Sequence, residues 1–194
     1  MKIFKEVFSW IIPIAIGLVV GFGIKQFVIS ADFVDGDSMQ PNLQNKQMVV
    51  SLRTAKIHRN SVIVFNAHGE DPQATSKDYY VKRVIGLPGD TVRSHDGNIY
   101  VNHTKLYQGY ISADQRTSGT GDWNLKSLSS HWVGDKQVTK IPKDKYFVLG
   151  DHRSISDDSR YWGFVDKDKI QGVTKAFPFQ KKSHQINQAY KIGN

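Results

Sequence analysis

Tyr79-Tyr80-Val81-Lys82-Arg83-Val84-Ile85-Gly86-Leu87-Pro88-Gly89-Asp90 is a β-branched and aromatic run that stops at a Pro-Gly pair. Such a run reads as a strand, and Leu87-Pro88-Gly89-Asp90 as the turn that closes it. Stretches of the same kind flank it, at 27–34, 48–52 and 62–65 before it and at 91–93, 98–101, 145–149 and 172–177 after it. Asp96-Gly97, between two of these, is a type I′ hairpin signal. Tight turns join antiparallel neighbours, so the expected fold is mainly β and antiparallel. Residues 103–140 are rich in Ser, Thr, Gly and Asp with few apolar clusters, and read as a peripheral lobe or long excursion. The polar, basic tail after Phe179 reads as solvated or frayed.

The N-terminal end follows a different rule. Residues 7–24 (VFSWIIPIAIGLVVGFGI) carry no charge, and with 27–29 beyond Lys25 they approach the roughly 20 residues that span a bilayer. A cleavable signal peptide and a buried core helix are the competing readings. The run is longer than a signal-peptide apolar region, and Ser30-Ala31-Asp32 is a poor cleavage site, which favours an uncleaved anchor. Lys2 and Lys5 precede the run and Asp32, Asp35 and Asp37 follow it, so the positive-inside bias sets the N-terminus in the cytoplasm. The expected organisation is a cytoplasmic tip and transmembrane anchor over 1–30, then an extracytoplasmic β domain over 31–194, in a single-pass protein of the cell membrane.

The 194 residues leave room for one domain beyond the anchor. A formal charge of +8 suits nucleic acid, an anionic membrane surface or acidic wall polymers, and does not choose among them. The absence of cysteine is more selective: it excludes disulfides, thiol catalysis and Cys-ligated zinc, so a nucleophile must be an oxygen or an amine.

Gly36-Asp37-Ser38-Met39-Gln40-Pro41-Asn42-Leu43 follows directly on the anchor and the first strand, where Gly and Pro fix a turn able to present Ser38 near the membrane surface. A serine needs a base to become a nucleophile. Of the seven histidines only His152 lies among other catalytic residue types, and its sequence neighbour Asp151 is badly placed to complete a triad. Lys82 is the other candidate. Its ordinary value near 10.4 leaves it protonated at neutral pH, but burial disfavours the ammonium and lowers that value. In a strand it shares a face with Tyr80 and Val84, while Arg83 points the other way with Val81 and Ile85. Alone, the segment reads more readily as a solvated Lys-Arg pair on an edge strand; the combination with Ser38 reverses that preference.

That combination resembles the type I signal peptidase family. The resemblance covers nearly the whole chain and rests on one N-terminal anchor followed by G-x-S-M-x-P, Y-V-K-R-V-I-G-x-P-G-D and G-D-x-R-x-x-S-x-D-S-R, in that order. It implies a signal-peptidase-like antiparallel β ectodomain and a membrane-bound endopeptidase that removes N-terminal signal peptides from exported preproteins through an acyl-enzyme. Ser38 would be the nucleophile and Lys82 the general base. In the third motif, Gly150 to Arg160, Ser156 would orient the Lys82 amine, Asp151 would pair with Arg83, and Asp158 with Arg160. A buried neutral amine needs a hydroxyl that fixes its lone pair without charging it, so these roles are chemically coherent. Signal peptides and the lipid bilayer are the implied partners; no metal, organic cofactor or nucleic acid is implied.

The backbone N–H of Ser38 is the expected oxyanion donor. Some relatives add a hydroxyl two residues before the nucleophile; this chain has Gly36 there, so a backbone group at Gly36 or a water is expected to act as the second oxyanion donor. Family substrates carry small residues at the first and third positions before the cut. Val34, Met39, Leu43, Tyr80 and Val81 flank the two reacting residues and are candidates to line those pockets, with Met39 also a candidate for lipid contact. The chain departs from the family pattern at His152, where Asn is usual, at Asn42, where Thr is usual, and at Asn60-Ser61, in place of a Gly-Asp turn. These changes bear on fine geometry and pH dependence and remove no reacting group. Two further readings stand beside this one: a self-cleaving Ser-Lys repressor-type protein, which needs a DNA-binding region where this chain has its apolar run, and a catalytically silent membrane-anchored binding protein for exported chains or wall polymer.

Overall fold

The computed structural model describes residues 2–188, with the side chains of 2–8 and 24–26 outside the description. Helix α1 (Lys2–Phe27) leads through Val28 into β1 (Ile29–Phe33), so the strand expected from residue 27 starts two residues later. The longest stretch of α1 with described side chains, 9–23, is shorter than the about 20 residues of a span. Among the described residues no helix is long and apolar enough to cross a membrane. Lys2, Lys5 and Lys25, whose charges bear on the expected topology, have side chains outside the described residues.

The rest is built on two antiparallel sheets. The larger is seven-stranded: β1, β2 (Met48–Leu52), β11 (Ile170–Lys175), β3 (Val62–Asn66), β4 (Tyr79–Gly86), β9 (Lys145–Leu149) and β10 (Val165–Asp166), in that spatial order. The smaller runs β7 (Thr104–Lys105), β6 (Asn98–Val101), β5 (Val92–His95) and β8 (Trp123–Asn124). Asp96-Gly97 makes the β5–β6 hairpin with both residues at positive φ, as a type I′ turn demands.

The quoted strand, β4, is central, between β3 and β9, and its alternation divides the core. Lys82 is opposite Ile63 and Tyr80 opposite Phe65, on the face that packs with Val84, Val148 and Val173. Arg83 is opposite Val62 on the other face, where Val81 joins Val34, Met39, Leu43 and Val49. Beyond it, Ile85 enters a third cluster shared with the small sheet, including Val92, Ile99, Phe147 and Trp132.

Residues 103–140 contribute more to this core than their composition suggests. Leu106, Tyr110, Leu125 and Trp132 are buried, because single apolar residues spaced along a polar segment make the contacts that runs make elsewhere. The tail corrects its expectation up to residue 188, and 189–194 lie outside the described residues. The short helix α5 (Ser183–Asn187) buries Ile186, and the Asn187 side chain accepts from the Ala176 amide and donates to the Ala176 carbonyl, both at 2.9 Å, extending β11 as a strand would.

Candidate active site

Ser38 lies in a turn held from both sides. The Gln40 amide donates to the Asp37 carbonyl, and the amides of Asn42 and Leu43 both donate to the Met39 carbonyl, each at 3.0 Å. Met39 and Leu43 are fully buried and anchor the turn, leaving Ser38 half-buried at its crest. The turn docks on the third motif through the His152 amide, which donates to the Ser38 carbonyl at 3.0 Å.

Gly150, which follows β9, is where the motifs converge. It comes directly after Leu149, and Leu149 is the partner in β4 of Arg83, next in sequence to Lys82. A Cβ on Gly150 would meet the Ser38 carbonyl oxygen at 2.5 Å and collide with the Ser156 hydroxyl. The Ser38 turn, the Ser156 side chain and the Lys82 strand thus close on one residue that has no side chain. Ser156 is 2% exposed, and its Oγ is buried with no hydrogen-bond partner among the described residues.

Lys82 is 4% exposed, and its Nζ lies 5.3 Å from the Tyr80 ring centroid. Burial pushes its amine from 10.5 down to about 8. Asp158 and Asp157 act against that shift, and Arg160 adds to it. Asp158, the larger of the two influences, is already committed: Arg160 donates to its two oxygens at 2.8 and 2.9 Å, and the Gly150 amide donates to it at 3.0 Å. Among the described residues no carboxylate forms an ion pair with Lys82.

On the opposite face of β4, Arg83 and Asp151 form a bidentate pair at 2.8 and 2.6 Å with both side chains fully buried. The remaining Arg83 nitrogen donates to the carbonyls of Asn60 and Gln185, and the guanidinium stacks 4.0 Å from the Tyr110 ring centroid. The four residues expected to pair, Asp151 with Arg83 and Asp158 with Arg160, are therefore brought together as two separate clamps on either side of Gly150.

Three residues of the site are assigned no role by the sequence: two stand there as departures from the family pattern and one as a motif position. Asn42 donates to Asp151 at 2.8 Å and to the Tyr110 carbonyl at 2.7 Å, tying the Ser38 turn to the buried ion pair. Asn60 adopts φ 65°, a left-handed conformation that asparagine tolerates better than most residues, which explains its place where a glycine is usual. Arg153, 1% exposed, donates to the Gly150 carbonyl, Gln108, Thr120 and the Tyr110 hydroxyl. Three of these four acceptors, Gln108, Thr120 and Tyr110, come from residues 103–140, so the apparent excursion holds the third motif in place.

The other expected residues are distributed as follows. The Gly36 amide donates to Asn45 Oδ1 at 3.2 Å, and the exposed Gly36 sits at φ 85°. Val34, Met39 and Leu43 are buried core residues, whereas Tyr80 and Val81 are half-buried. At 1% exposure Met39 has no surface to offer lipid. The only group of metal-type ligands among the described residues, the exposed His95, Asp96 and Asp122, belongs to the small sheet, not to this site.

Comparison with known proteins agrees with this arrangement. A sequence model described as signal peptidase, peptidase S26, matches residues 7–179. Signal peptidase IB of Staphylococcus aureus (strain COL) is 34% identical over 193 residues, 94% of this chain and 96% of its own. Signal peptidase I P of Bacillus subtilis subsp. natto is 35% identical over 187 residues, 93% of this chain and 94% of its own. A crystal structure of a signal peptidase I from Enterococcus faecalis V583 matches with a TM-score of 0.52 at 35% identity, covering 61% of this chain and 97% of that one. With matches of this extent running through all three motifs, the chain belongs to the signal peptidases of peptidase family S26.

Proposed function

We propose that Ser38 and Lys82 form the reacting pair of this signal peptidase. Ser38 Oγ attacks the carbonyl at the signal-peptide junction while Lys82 Nζ takes its proton, and the resulting ammonium returns a proton to the departing amine. Water, deprotonated by the same amine, then releases the signal peptide from Ser38. The observation that carries the assignment is a buried amine lowered to about 8 on the strand facing Gly150, with the Ser38 turn and the unpartnered Ser156 hydroxyl against that glycine. Ser156 orients the Lys82 lone pair. The Arg83–Asp151 and Asp158–Arg160 pairs hold the strand and loop that carry the two groups.

The Ser38 amide serves the oxyanion; the Gly36 amide is occupied by Asn45 and does not. Val81 forms the accessible wall of the pocket for small substrate residues, over an apolar floor of Val34, Met39 and Leu43, while Tyr80 stands on the opposite face of β4 beside Lys82. Helix α1 anchors the chain in the membrane with the catalytic domain outside the cytoplasm. Trp10, Leu18, Val19 and Phe22 are each at least 70% exposed, so the described part of α1 is apolar without protein cover, a state suited to lipid. Anchoring in the bilayer that holds the substrate's apolar segment raises the effective concentration at the site.

Incubation of the purified full chain with a preprotein tests the assignment. Ser38→Ala and Lys82→Ala are each expected to lower cleavage by about 10³-fold or more. Equal cleavage by both variants and the parent overturns it. Retention of the full chain in the membrane pellet after alkaline carbonate extraction is expected from the anchor; release into the supernatant overturns that part.

A further inference from the structure

The outer face of the small sheet carries charge that the peptidase reaction does not use. Val92, Ile99 and Val101 point into the core, so by the period of two Arg93 and Tyr100 point outward. The register sets Tyr100 opposite Arg93 in β5 and opposite Lys105 in β7, and Arg93 opposite Asn124 in β8. Directly opposed residues of antiparallel strands share a face, so Lys105, Tyr100, Arg93 and Asn124 form one row across all four strands. The Arg93 guanidinium lies 4.0 Å from the Tyr100 ring centroid, which holds a long cationic side chain on an aromatic support.

Beside this row is a cavity of about 280 Å³ lined by Thr91, Arg93, Tyr100, His103, Lys126 and Thr139. Lys126 comes from the short helix α3 (Leu125–Ser129) and His103 from the β6–β7 turn, so polar groups reach the cavity from separate segments. No carboxylate lines it, and among the described residues none forms an ion pair with Arg93 or Lys126. The acids of the neighbouring row, Asp96 and Asp122, face the two ring nitrogens of His95 instead, at 3.4 and 2.9 Å.

We propose that this cavity binds the phosphate group of an organic phosphate ester, with Arg93 and Lys126 on the oxygens and Tyr100 alongside the ester's carbons. Two cations unopposed by acid call for an anion. Arg93 offers a planar fork that matches a pair of oxygens, Lys126 a point charge from another element, and Thr91 and Thr139 add hydroxyl donors. A carboxylate presents its oxygens in one plane and leaves part of that set unused, whereas a tetrahedral phosphate can meet all of it. The cavity is at the small end of ligand sites, which suits a phosphate with a few carbons. None of these residues touches the Ser38–Lys82 site in the contacts described above, so the inference stands apart from that assignment.

The test uses the full chain, 15N-labelled, in phosphatidylcholine nanodiscs, and follows the Arg93 side-chain Nε–H signal, identified by its loss in Arg93→Gln. Inorganic phosphate and glycerol phosphate, titrated at constant ionic strength, are expected to shift that signal saturably, with acetate binding at least about fivefold more weakly. Lys126→Gln should weaken phosphate binding about tenfold, and Lys126→Arg should largely keep it. Both Gln variants should cleave preprotein as the parent does, which separates lost binding from lost fold. Discs containing phosphatidylglycerol distinguish the sources: a shift by glycerol phosphate in phosphatidylcholine discs identifies a free ester, and a shift that needs phosphatidylglycerol identifies a lipid headgroup; either upholds the site. No saturable shift with any of the three phosphates, an equal response to acetate, or a Lys126→Gln variant that titrates like the parent overturns the proposal.

Discussion

The His152 amide donates to the Ser38 carbonyl at 3.0 Å, so the turn that presents the serine and the loop that supplies Ser156 are fastened backbone to backbone. The contact is close because Gly150 beneath it lacks a Cβ. In Gly150→Ala the new methyl would need the space of both the Ser38 carbonyl and the Ser156 hydroxyl. Displacing reacting groups by about 1 Å costs on the order of 10²-fold in rate. We expect kcat/KM for preprotein cleavage to fall by at least that factor while circular dichroism still reports the β fold.

Lys82 makes an opposite prediction for stability. Its folded value, about 8, lies below the 10.5 of the unfolded chain, so between those values the unfolded state binds more protons and stability rises with pH. Below about 8 the cost of the buried ammonium is fully present. Lys82→Met removes it, and we expect a gain on the order of 3 kcal/mol at pH 7. Thermal melts at a series of pH values should show the advantage shrinking toward pH 10.5. A variant that melts below the parent at pH 7 would show that the amine is not desolvated.

The same titration governs activity. With Lys82 as the base and chemistry limiting, kcat/KM should rise about tenfold per pH unit below about 8 and level off above it. Single-turnover cleavage across that range is the appropriate measurement, because slow product release would flatten the curve. A flat profile under single-turnover conditions would exclude an amine with this titration.

Much of this site is legible in the sequence, for identifiable reasons. Period-two alternation in 79–85 separates Lys82 from Arg83, and the structure keeps them on the two faces of β4. The resemblance of the third motif points to the Asp151–Arg83 and Asp158–Arg160 pairings, and the structure shows both contacts. Arg153 is a fixed position of the third motif, but its role is not legible there because three of its four acceptors, Gln108, Thr120 and Tyr110, lie more than 30 positions away in a segment without apolar runs. Asn42 and Asn60 read as departures only; what each does depends on a distant partner or a local left-handed turn, neither of which leaves a pattern along the chain. The tail misleads for the same reason, since one isoleucine and one asparagine suffice to dock it.

The Arg83–Asp151 pair should behave as a buried ion pair with fixed partners. Asp151→Ala strands a guanidinium at 0% exposure and releases Asn42 as well, and we expect a loss of about 3–5 kcal/mol. Replacing both members, as in Arg83→Met with Asp151→Leu, removes the stranded charge and should recover part of that loss. Chemical denaturation of the single and double variants measures the difference. A double variant no more stable than Asp151→Ala would mean that the pair's hydrogen bonds, not its charges, hold the fold.

Arg153 tests whether residues 103–140 serve the site. Among the described residues its guanidinium has no carboxylate partner; it satisfies itself on one carbonyl, one amide side chain and two hydroxyls. Arg153→Met preserves much of the volume but strips those four acceptors of a buried donor, at about 1–3 kcal/mol for each group left without a partner. Gly119 is held from the same loop by Arg160 at 2.8 Å, so the segment keeps one tether. We therefore expect the variant to fold, with amide hydrogen exchange accelerated over 108–120 and preprotein cleavage reduced about tenfold or more through loosening of the Gly150 carbonyl. Faster exchange with unchanged cleavage would make the segment a passive cover, whereas loss of both together ties its order to the geometry around Ser38.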